Sequence, residues 1–201
     1  MNIFQMMDFT KFVKWPLFFG FLLVSVGLSA CGPKPLDTFD DVQVELTSHR
    51  GEALIFPDSF DGKPVILGFI YTHCPDICSL VTANIKGVAD LVGDEAVYVL
   101  VSFDPEPDTP EVLANYAAAF NMQDEPFYFL TGDPETVAGF MERMRVRTEI
   151  SYESTTESGT SVYFMNHSDK IMLLDAKGRL MVEYGGSMTP PAMIVEDFQK
   201  L

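Results

Sequence analysis

The segment at residues 65–72 reads VILGFIYT and shows no alternation of polar and apolar side chains. A strand with this pattern is covered on both faces, as in a parallel sheet with helices on each side. Residues 96–103, AVYVLVSF, form a second segment of the same kind. Because α/β proteins are the ones that cover both faces of a sheet with helices, the two segments predict an α/β fold.

Helical and extended patterns alternate along the rest of the chain. The predicted helices lie at residues 75–91, 110–120, 134–144 and 189–201. A β-hairpin within residues 41–56 precedes a β-α-β-α-β-α order, and a β-β-α unit closes the chain. This order predicts a parallel-dominated sheet in a single domain, and its last part resembles the end of a thioredoxin fold. The polar residues 148–161 are interpreted as a surface insertion or a hairpin tip.

The composition limits the possible partners. Of the 201 residues 47% are apolar, which is enough to form a core, and the formal net charge is −16 at pH 7. Because nucleic-acid phosphates are bound by Lys and Arg, we expect no nucleic-acid partner. An acidic surface can steer metal cations or a basic protein toward the chain, although a surface that serves only solubility explains the same charge.

The first residues have the pattern of an export signal. Lys11 and Lys14 precede an uncharged apolar stretch at residues 15–30, which is shorter than the about 20 residues of a bilayer span and ends in small residues. The sequence LSAC, which ends at Cys31, resembles a bacterial lipoprotein signal. The predicted parts are a lipoprotein signal peptide at residues 1–30, a lipid-anchored tether at 31–38 and a folded domain at 39–201.

Lipidation of Cys31 would anchor an exported domain to a membrane. The alternative is an uncleaved membrane helix in which Cys31 is incidental. In both cases we expect the domain to lie at the periplasmic or another extracytoplasmic face of the membrane.

Cys74 and Cys78 lie at the predicted junction of a strand and a helix. Sites form at the carboxyl ends of strands in open α/β sheets, and the N–H groups of a helix N-terminus favour thiolate over thiol. With Pro75 in the first helical turn, the two cysteines would share one helix face and converge on one ion. A disulfide is also possible, but a loop this short would stabilise the fold by only roughly 2 kcal/mol.

A pair of thiolates suits copper(I), zinc or iron–sulfur clusters, and a third ligand would come from elsewhere. The chain has three histidines, His49, His73 and His167. His167 is favoured, because a segment between two extended stretches can direct its side chain toward the thiols. His73 and His49 remain alternatives from the residues alone, and an isolated histidine is more often not a ligand.

Three separated motifs occur in one order along the chain: THCPDIC at residues 72–78, DPEPDTP at residues 104–110 and the pair Asn166-His167. Their order and approximate spacing resemble those of the Sco/SenC family. The similarity extends over about residues 39–201. The resemblance implies a thioredoxin-like fold with an inserted hairpin.

The resemblance also implies a function. In this family the residues at the positions of Cys74, Cys78 and His167 would bind copper as Cu(I) or Cu(II), and Asp104 would lie near the site and assist the histidine or a partner contact. The implied role is a metallochaperone for the binuclear CuA centre of cytochrome c oxidase. Its partner would be the copper-bearing oxidase subunit or another copper chaperone, at the outer face of the inner or cytoplasmic membrane.

Some members of the family act instead, or in addition, as thiol–disulfide reductants of that oxidase subunit, with Cys74 and Cys78 then forming the redox-active pair. Two positions depart from the family pattern: Ser79 stands where Pro is frequent, and Pro107 stands where Arg is common. Neither is a proposed ligand, so the departures bear on partner docking and not on copper binding.

Two further chemistries use similar residues. A peroxide-reducing thiol enzyme of similar fold usually has a Thr and an Arg close to its reactive cysteine, and no Arg lies near Cys74 in the sequence. A zinc site with two cysteines and one histidine is compatible with the same ligands.

Overall fold

The computed structural model describes residues 33–60, 62–156, 159 and 161–201. The strands, in chain order, are β1 (Val44–Ser48), β2 (Ala53–Phe56), β3 (Val65–Ile70), β4 (Val97–Ser102), β5 (Phe127–Thr131), β6 (Thr148–Thr155), β7 (Ser161–His167), β8 (Ile171–Leu174) and β9 (Leu180–Tyr184). The α-helices are α1 (Ile77–Val92), α2 (Pro110–Ala119), α3 (Pro134–Arg143) and α4 (Pro191–Phe198).

The two segments without alternation are the central strands of the main sheet. The strand order is β2-β1-β5-β4-β3-β8-β9, and β3, β4 and β5 run parallel to one another. Every residue of β3 and β4 is buried, as expected for strands covered on both faces. The predicted α/β fold is therefore confirmed, and its arrangement is thioredoxin-like.

The two hairpins have different relations to this sheet. The N-terminal hairpin of β1 and β2 extends it at one edge, through antiparallel pairing of β1 with β5. The hairpin of β6 and β7 forms a separate two-stranded sheet, and all of β6 is exposed. Of the polar residues 148–161, residues 148–155 form β6 of this hairpin and Ser161 begins β7.

Helix α1 begins later than predicted. Its first residue is Ile77 and its N-cap is Asp76, so Pro75 lies before the helix and not in its first turn. The physical reason is a turn after β3, in which the Cys74 N–H donates to the Tyr71 carbonyl at 3.3 Å. This turn takes up the residues that were expected to be helical, and the two cysteines do not share a helix face.

Close packing fixes the position of α1 on the sheet. A Cβ atom at Gly68, in the middle of β3, would lie 2.5 Å from the Cδ1 atom of Ile85, so α1 approaches the strand at a residue without a side chain. The buried residues Val81, Ile85 and Val88 form the packed face of α1. The first turn of α1 is thereby held at the carboxyl end of β3.

The predicted signal peptide at residues 1–30 and the first two residues of the tether, which are the lipidation site Cys31 and Gly32, lie outside the described residues. Among the residues that are described, no helix has both the length and the apolar character needed to cross a bilayer.

Candidate metal centre

Cys74 and Cys78 lie at the point where β3 leads into α1. Cys74 is in the turn that follows Tyr71 and is partly exposed. Cys78 is in the first turn of α1 and is 1% exposed. Both carry free thiols, so the pair is available either to bind a metal or to form a disulfide.

His167 is the last residue of β7, so the inserted hairpin delivers it to the thiols. Its Nδ1 atom lies 3.1 Å from the Ser168 carbonyl oxygen. A carbonyl oxygen can only accept a hydrogen bond, so Nδ1 carries a hydrogen; in the neutral imidazole Nε2 then presents a lone pair, and in the protonated ring Nε2 donates to the Cys74 thiolate. That Nε2 atom lies 3.6 Å from Cys78 Sγ and 3.9 Å from Cys74 Sγ.

Aromatic rings fix the orientation of the imidazole. The ring centroid of Phe103 is 4.8 Å from that of His167, and the Tyr71 ring packs edge-on with its centroid at 5.8 Å. The Tyr71 hydroxyl also accepts a hydrogen bond from the Met165 backbone N–H at 3.3 Å. The histidine is therefore held between the end of β4 and the cysteine turn.

These three side chains have the spacing of a metal site. Their ligand atoms all lie within 4.8 Å of one another, and they are the only such cluster of His, Cys, Asp or Glu that the described residues form. Metal bonds of about 2.3 Å to sulfur and about 2.0–2.1 Å to nitrogen place the two atoms about 3.6–3.8 Å apart in tetrahedral or trigonal geometry. The sulfur–nitrogen distances of 3.6 and 3.9 Å match this spacing.

The pKa values of the two thiols are shifted in opposite directions. A hydrogen bond from Cys78, with further support from His167 and from the backbone N–H groups of Cys78 and Asp76, lowers the pKa of Cys74 to about 3. The same bond to Cys74, together with burial, raises the pKa of Cys78. Without a metal, Cys74 is therefore the thiolate and Cys78 the thiol that donates to it.

The charge on Cys74 also acts on the histidine. Burial by itself would lower the pKa of His167, but the hydrogen bonds to Cys74 and Ser168 and the negative charge of the thiolate raise it overall. The site thus combines one formed thiolate, a second thiol and an imidazole, and soft metals bind such sets of sulfur and nitrogen donors.

The lowered pKa of Cys74 leads to a test on the metal-free, reduced protein. We expect iodoacetamide to alkylate Cys74 at a nearly constant rate from about pH 5 to about pH 8, because the thiolate is already formed across this range. In Cys78→Ala the donor thiol is lost, so the pKa of Cys74 should rise and its alkylation should become pH-dependent. Peptide mass spectrometry gives the rates. A wild-type rate that climbs about tenfold per pH unit would show an ordinary thiol.

The other two histidines lie elsewhere. His49 is 6% exposed; its Nε2 donates to the Gln123 carbonyl at 2.9 Å, and its Nδ1 accepts from the Phe129 N–H at 3.2 Å. Both of its ring nitrogens therefore form hydrogen bonds to the backbone and are not directed at the thiols. His73 is next to Cys74 in the turn, but its side chain is 63% exposed and it is not part of the cluster of ligand atoms.

The acidic motif contacts both halves of the site. Asp104 accepts a hydrogen bond of 2.5 Å from the Tyr163 hydroxyl, and burial outweighs this bond to raise its pKa. Because alternate residues of a strand share a face, Tyr163 lies on the same face of β7 as His167. Asp108 is fully buried and bonds to Thr72, two residues before Cys74.

Sequence reasoning missed four of these residues: Tyr71, Phe103, Asp108 and Tyr163. Two signals were available. Asp108 belongs to the same DPEPDTP motif as Asp104, and Tyr163 is four residues before His167 on an extended segment, where residues two and four apart face the same side. Nothing in the sequence alone shows that the rings of Tyr71 and Phe103 pack against the imidazole.

Comparisons with known proteins identify the family of the chain. Protein sco1 of Schizosaccharomyces pombe is 29% identical over 148 residues, which are 72% of this chain and 54% of that protein. The chain thus spans about half the length of this curated relative. ScoI of Bradyrhizobium japonicum, solved with copper bound, is 28% identical with a TM-score of 0.63, and the match covers 84% of this chain and 98% of that one.

A SCO1/SenC family lipoprotein from Bacillus anthracis str. Ames is 26% identical with a TM-score of 0.66, over 84% of this chain and 97% of that one. The sequence model of the family described as SCO1/SenC matches residues 40–201, which is most of the chain and includes both cysteines and His167. The resemblance seen in the three motifs is therefore confirmed, and this chain belongs to the SCO1/SenC family.

Proposed function

We propose that this protein is a copper-binding assembly factor that delivers copper to the CuA centre of cytochrome c oxidase or matures that centre. The observation that carries the proposal is the convergence of Cys74, Cys78 and His167, whose ligand atoms lie within 4.8 Å of one another. Copper is the cargo in this scheme, so the site must both hold it and release it.

The three side chains suit both oxidation states of copper. Thiolates are soft ligands that favour Cu(I), and imidazole also accommodates Cu(II). Release by ligand exchange requires access for a partner's ligands. Cys74 is partly exposed, and His167 lines a surface cavity of about 330 Å³ together with Arg147, Asn166 and Ser168. Partner ligands can therefore reach the site from the side of Cys74 and His167, while Cys78 stays buried.

Relatives support copper as the cargo. ScoI of Bradyrhizobium japonicum carries copper in its solved structure. The resemblance to the family then points to the copper-bearing oxidase subunit, or to another copper chaperone, as the partner. The net charge of −16 would help to steer a basic partner surface toward the chain.

We also propose that the domain is exported and held at the membrane by a lipid on Cys31. The support is the order of basic residues, an apolar stretch and the sequence LSAC. The similar Bacillus anthracis protein is described as a lipoprotein. An anchor at the outer face of the inner or cytoplasmic membrane would keep the copper site close to a membrane-bound oxidase.

Deleting the gene tests the function in the cell. We expect cells without the protein to assemble cytochrome c oxidase that lacks copper at CuA, with a loss of oxidase activity that the wild-type gene restores. Oxygen uptake and the copper content of the purified oxidase measure the effect. If the oxidase from deleted cells contained the normal amount of copper and kept full activity, the assembly role would be wrong.

The alternative function is a thiol–disulfide oxidoreductase that reduces the cysteines of the oxidase copper site, and the lowered pKa of Cys74 favours it. The Cys74 thiolate would attack one sulfur of the partner disulfide and release the other as a thiolate. Cys78 would then lose its proton and attack Cys74 in the mixed disulfide. The products are a Cys74–Cys78 disulfide and two reduced partner cysteines, and this reaction does not use His167.

A further inference from the structure

Asp108 is a buried carboxylate whose hydrogen bonds go to polar groups beside the metal site. The residue is 0% exposed, and its two oxygens accept from the Thr72 N–H at 3.0 Å, the Thr72 hydroxyl at 2.5 Å and the Ser102 hydroxyl at 2.5 Å. Among the described residues, its one ion-pair neighbour is the exposed His73, at 4.0 Å. A buried carboxylate without Lys or Arg is costly, so these three donors are what keep it in place.

These bonds link the chain segments that follow β3 and β4, just beyond the point where the pairing of the two strands ends. The last paired residues of the two strands are Ile70 and Ser102. Beyond this pair, no strand residue is paired with Thr72 in the register of β3 and β4. The Asp108 carboxylate instead accepts hydrogen bonds from the backbone N–H and from the hydroxyl of Thr72. Two bonds from one carboxylate to one residue fix the direction in which the chain leaves β3, and Cys74 is only two residues further on.

Helix α2 does not need the Asp108 side chain. Its N-cap is Thr109, whose hydroxyl accepts from the Val112 N–H, and the Thr109 carbonyl accepts from the Leu113 N–H. The Asp108 backbone N–H bonds to the Asp104 carbonyl within the acidic motif. The carboxylate is therefore left to serve the turn that carries Cys74.

The two cysteines depend on different supports. Cys78 is 1% exposed and is placed by the packing of α1 on the sheet. Cys74 is in a turn, outside the helix, and its backbone N–H bonds only within that turn, to Tyr71 at 3.3 Å. The Cys74 sulfur also accepts from the backbone N–H groups of Asp76 and Cys78, so loosening Thr72 would act mainly on the turn and would move Cys74 more than the buried Cys78.

On this basis we propose that Asp108 is a positioning residue, which sets the place of the Cys74 sulfur relative to Cys78 and His167 by holding Thr72. The inference rests on the proposed copper site and adds a residue that determines its geometry. Asp108 forms no hydrogen bond with Cys74, Cys78 or His167 among the described residues, but its negative charge also acts on Cys78, so the comparison of Thr72→Val with Thr72→Ser isolates the effect that passes through Thr72.

The test uses substitutions that remove or keep the hydrogen bonds between Thr72 and Asp108; the Thr72 hydroxyl also lies 3.4 Å from His73 Nδ1, and His73→Ala is the control for the loss of that contact. Thr72→Val removes the hydroxyl donor and keeps the N–H, whereas Thr72→Ser keeps both. Asp108→Asn keeps the size of the side chain but replaces one acceptor oxygen with an amide that cannot accept from a hydroxyl. Thr109→Ala is the matched control, because it removes the cap of α2 next to Asp108, which should lower Tm by about 2–4 °C, without touching Thr72.

The expected result is that Thr72→Val and Asp108→Asn bind Cu(I) about tenfold more weakly, as loss of a hydrogen bond to a charged group would produce. Their Cu(II)–thiolate absorption band should also shift. Thr72→Ser should restore both properties, and Thr109→Ala should keep both despite its lower Tm. In the metal-free protein, the alkylation rate of Cys74 relative to Cys78 should change severalfold in Thr72→Val and not in Thr72→Ser.

Wild-type affinity, absorption band and alkylation ratio in Thr72→Val would overturn the proposal, and so would an equal loss of copper binding in Thr109→Ala. If Asp108→Asn does not fold, the comparison of Thr72→Val with Thr72→Ser still decides. If the wild-type protein binds no copper, the proposed function fails, whereas the alkylation ratio of the metal-free variants still tests the positioning role by itself.

Discussion

Replacing either Cys74 or Cys78 with alanine is expected to reduce the Cu(I) content of the purified protein from about one equivalent per chain to nearly none. Each variant would leave one sulfur and one imidazole, and a single thiolate does not hold Cu(I) against competing thiols. The measurement is copper analysis after loading with Cu(I) and dialysis against a chelator. This is the largest effect expected from any single substitution in the chain.

Ser79→Ala is the matched control for the cysteine variants. Ser79 is in the same first turn of α1 and is exposed, and its hydroxyl donates to the Asp76 carbonyl at 3.0 Å. Its loss should leave the copper content unchanged. A Cys78→Ala protein that kept a full equivalent of Cu(I) through dialysis would show that the buried thiol is not a ligand.

Replacing His167 with alanine is expected to separate the two oxidation states. Removing a residue that only hydrogen-bonds to a metal ligand typically weakens metal binding by about 10–100-fold. Removing the imidazole ligand itself should therefore weaken Cu(II) binding by at least about a hundredfold. Cu(I) binding should fall by less than about tenfold, because both thiolates remain. Chelator competition under anaerobic and aerobic conditions measures the two affinities.

His73→Ala is the control for this variant, since His73 neighbours Cys74 in sequence but its side chain is 63% exposed. It should bind both forms of copper as the wild type does. In cells, His167→Ala should fail to restore oxidase activity if the protein acts as a copper carrier. Full restoration by His167→Ala, with none by Cys74→Ala, would instead favour the thiol–disulfide reductase.

The central strands and the order of elements were predictable because their pattern is local. In a strand with an apolar run without alternation, as at residues 65–72, apolar side chains lie on both faces, so both faces must be buried. All of β3 is indeed buried. The position of the cysteine pair was predictable for a similar reason. Both cysteines lie within a few residues of the junction between β3 and α1, which the local pattern already indicates. His167 required the family motifs, because the residues alone left His73 and His49 open.

The parts that could not be predicted depend on contacts between distant segments. The turn from Tyr71 to Cys74 delays α1, and its form depends on Asp108, which holds Thr72 from a loop 36 residues away. The imidazole is oriented by Phe103, at the end of β4, through ring packing at 4.8 Å. Hydrophobic periodicity and secondary-structure propensity depend on residues that are close in the sequence. They therefore do not predict contacts between distant segments such as these.

X-ray absorption spectroscopy of the copper-loaded wild type and of His167→Ala tests the proposed metal centre most directly. The three-ligand site predicts two sulfur neighbours at about 2.3 Å and one nitrogen neighbour at about 2.0 Å in the Cu(II) protein, with the nitrogen altered in His167→Ala and both sulfurs retained. A wild-type spectrum with fewer than two sulfur neighbours, or a nitrogen neighbour that is the same in His167→Ala, would contradict it.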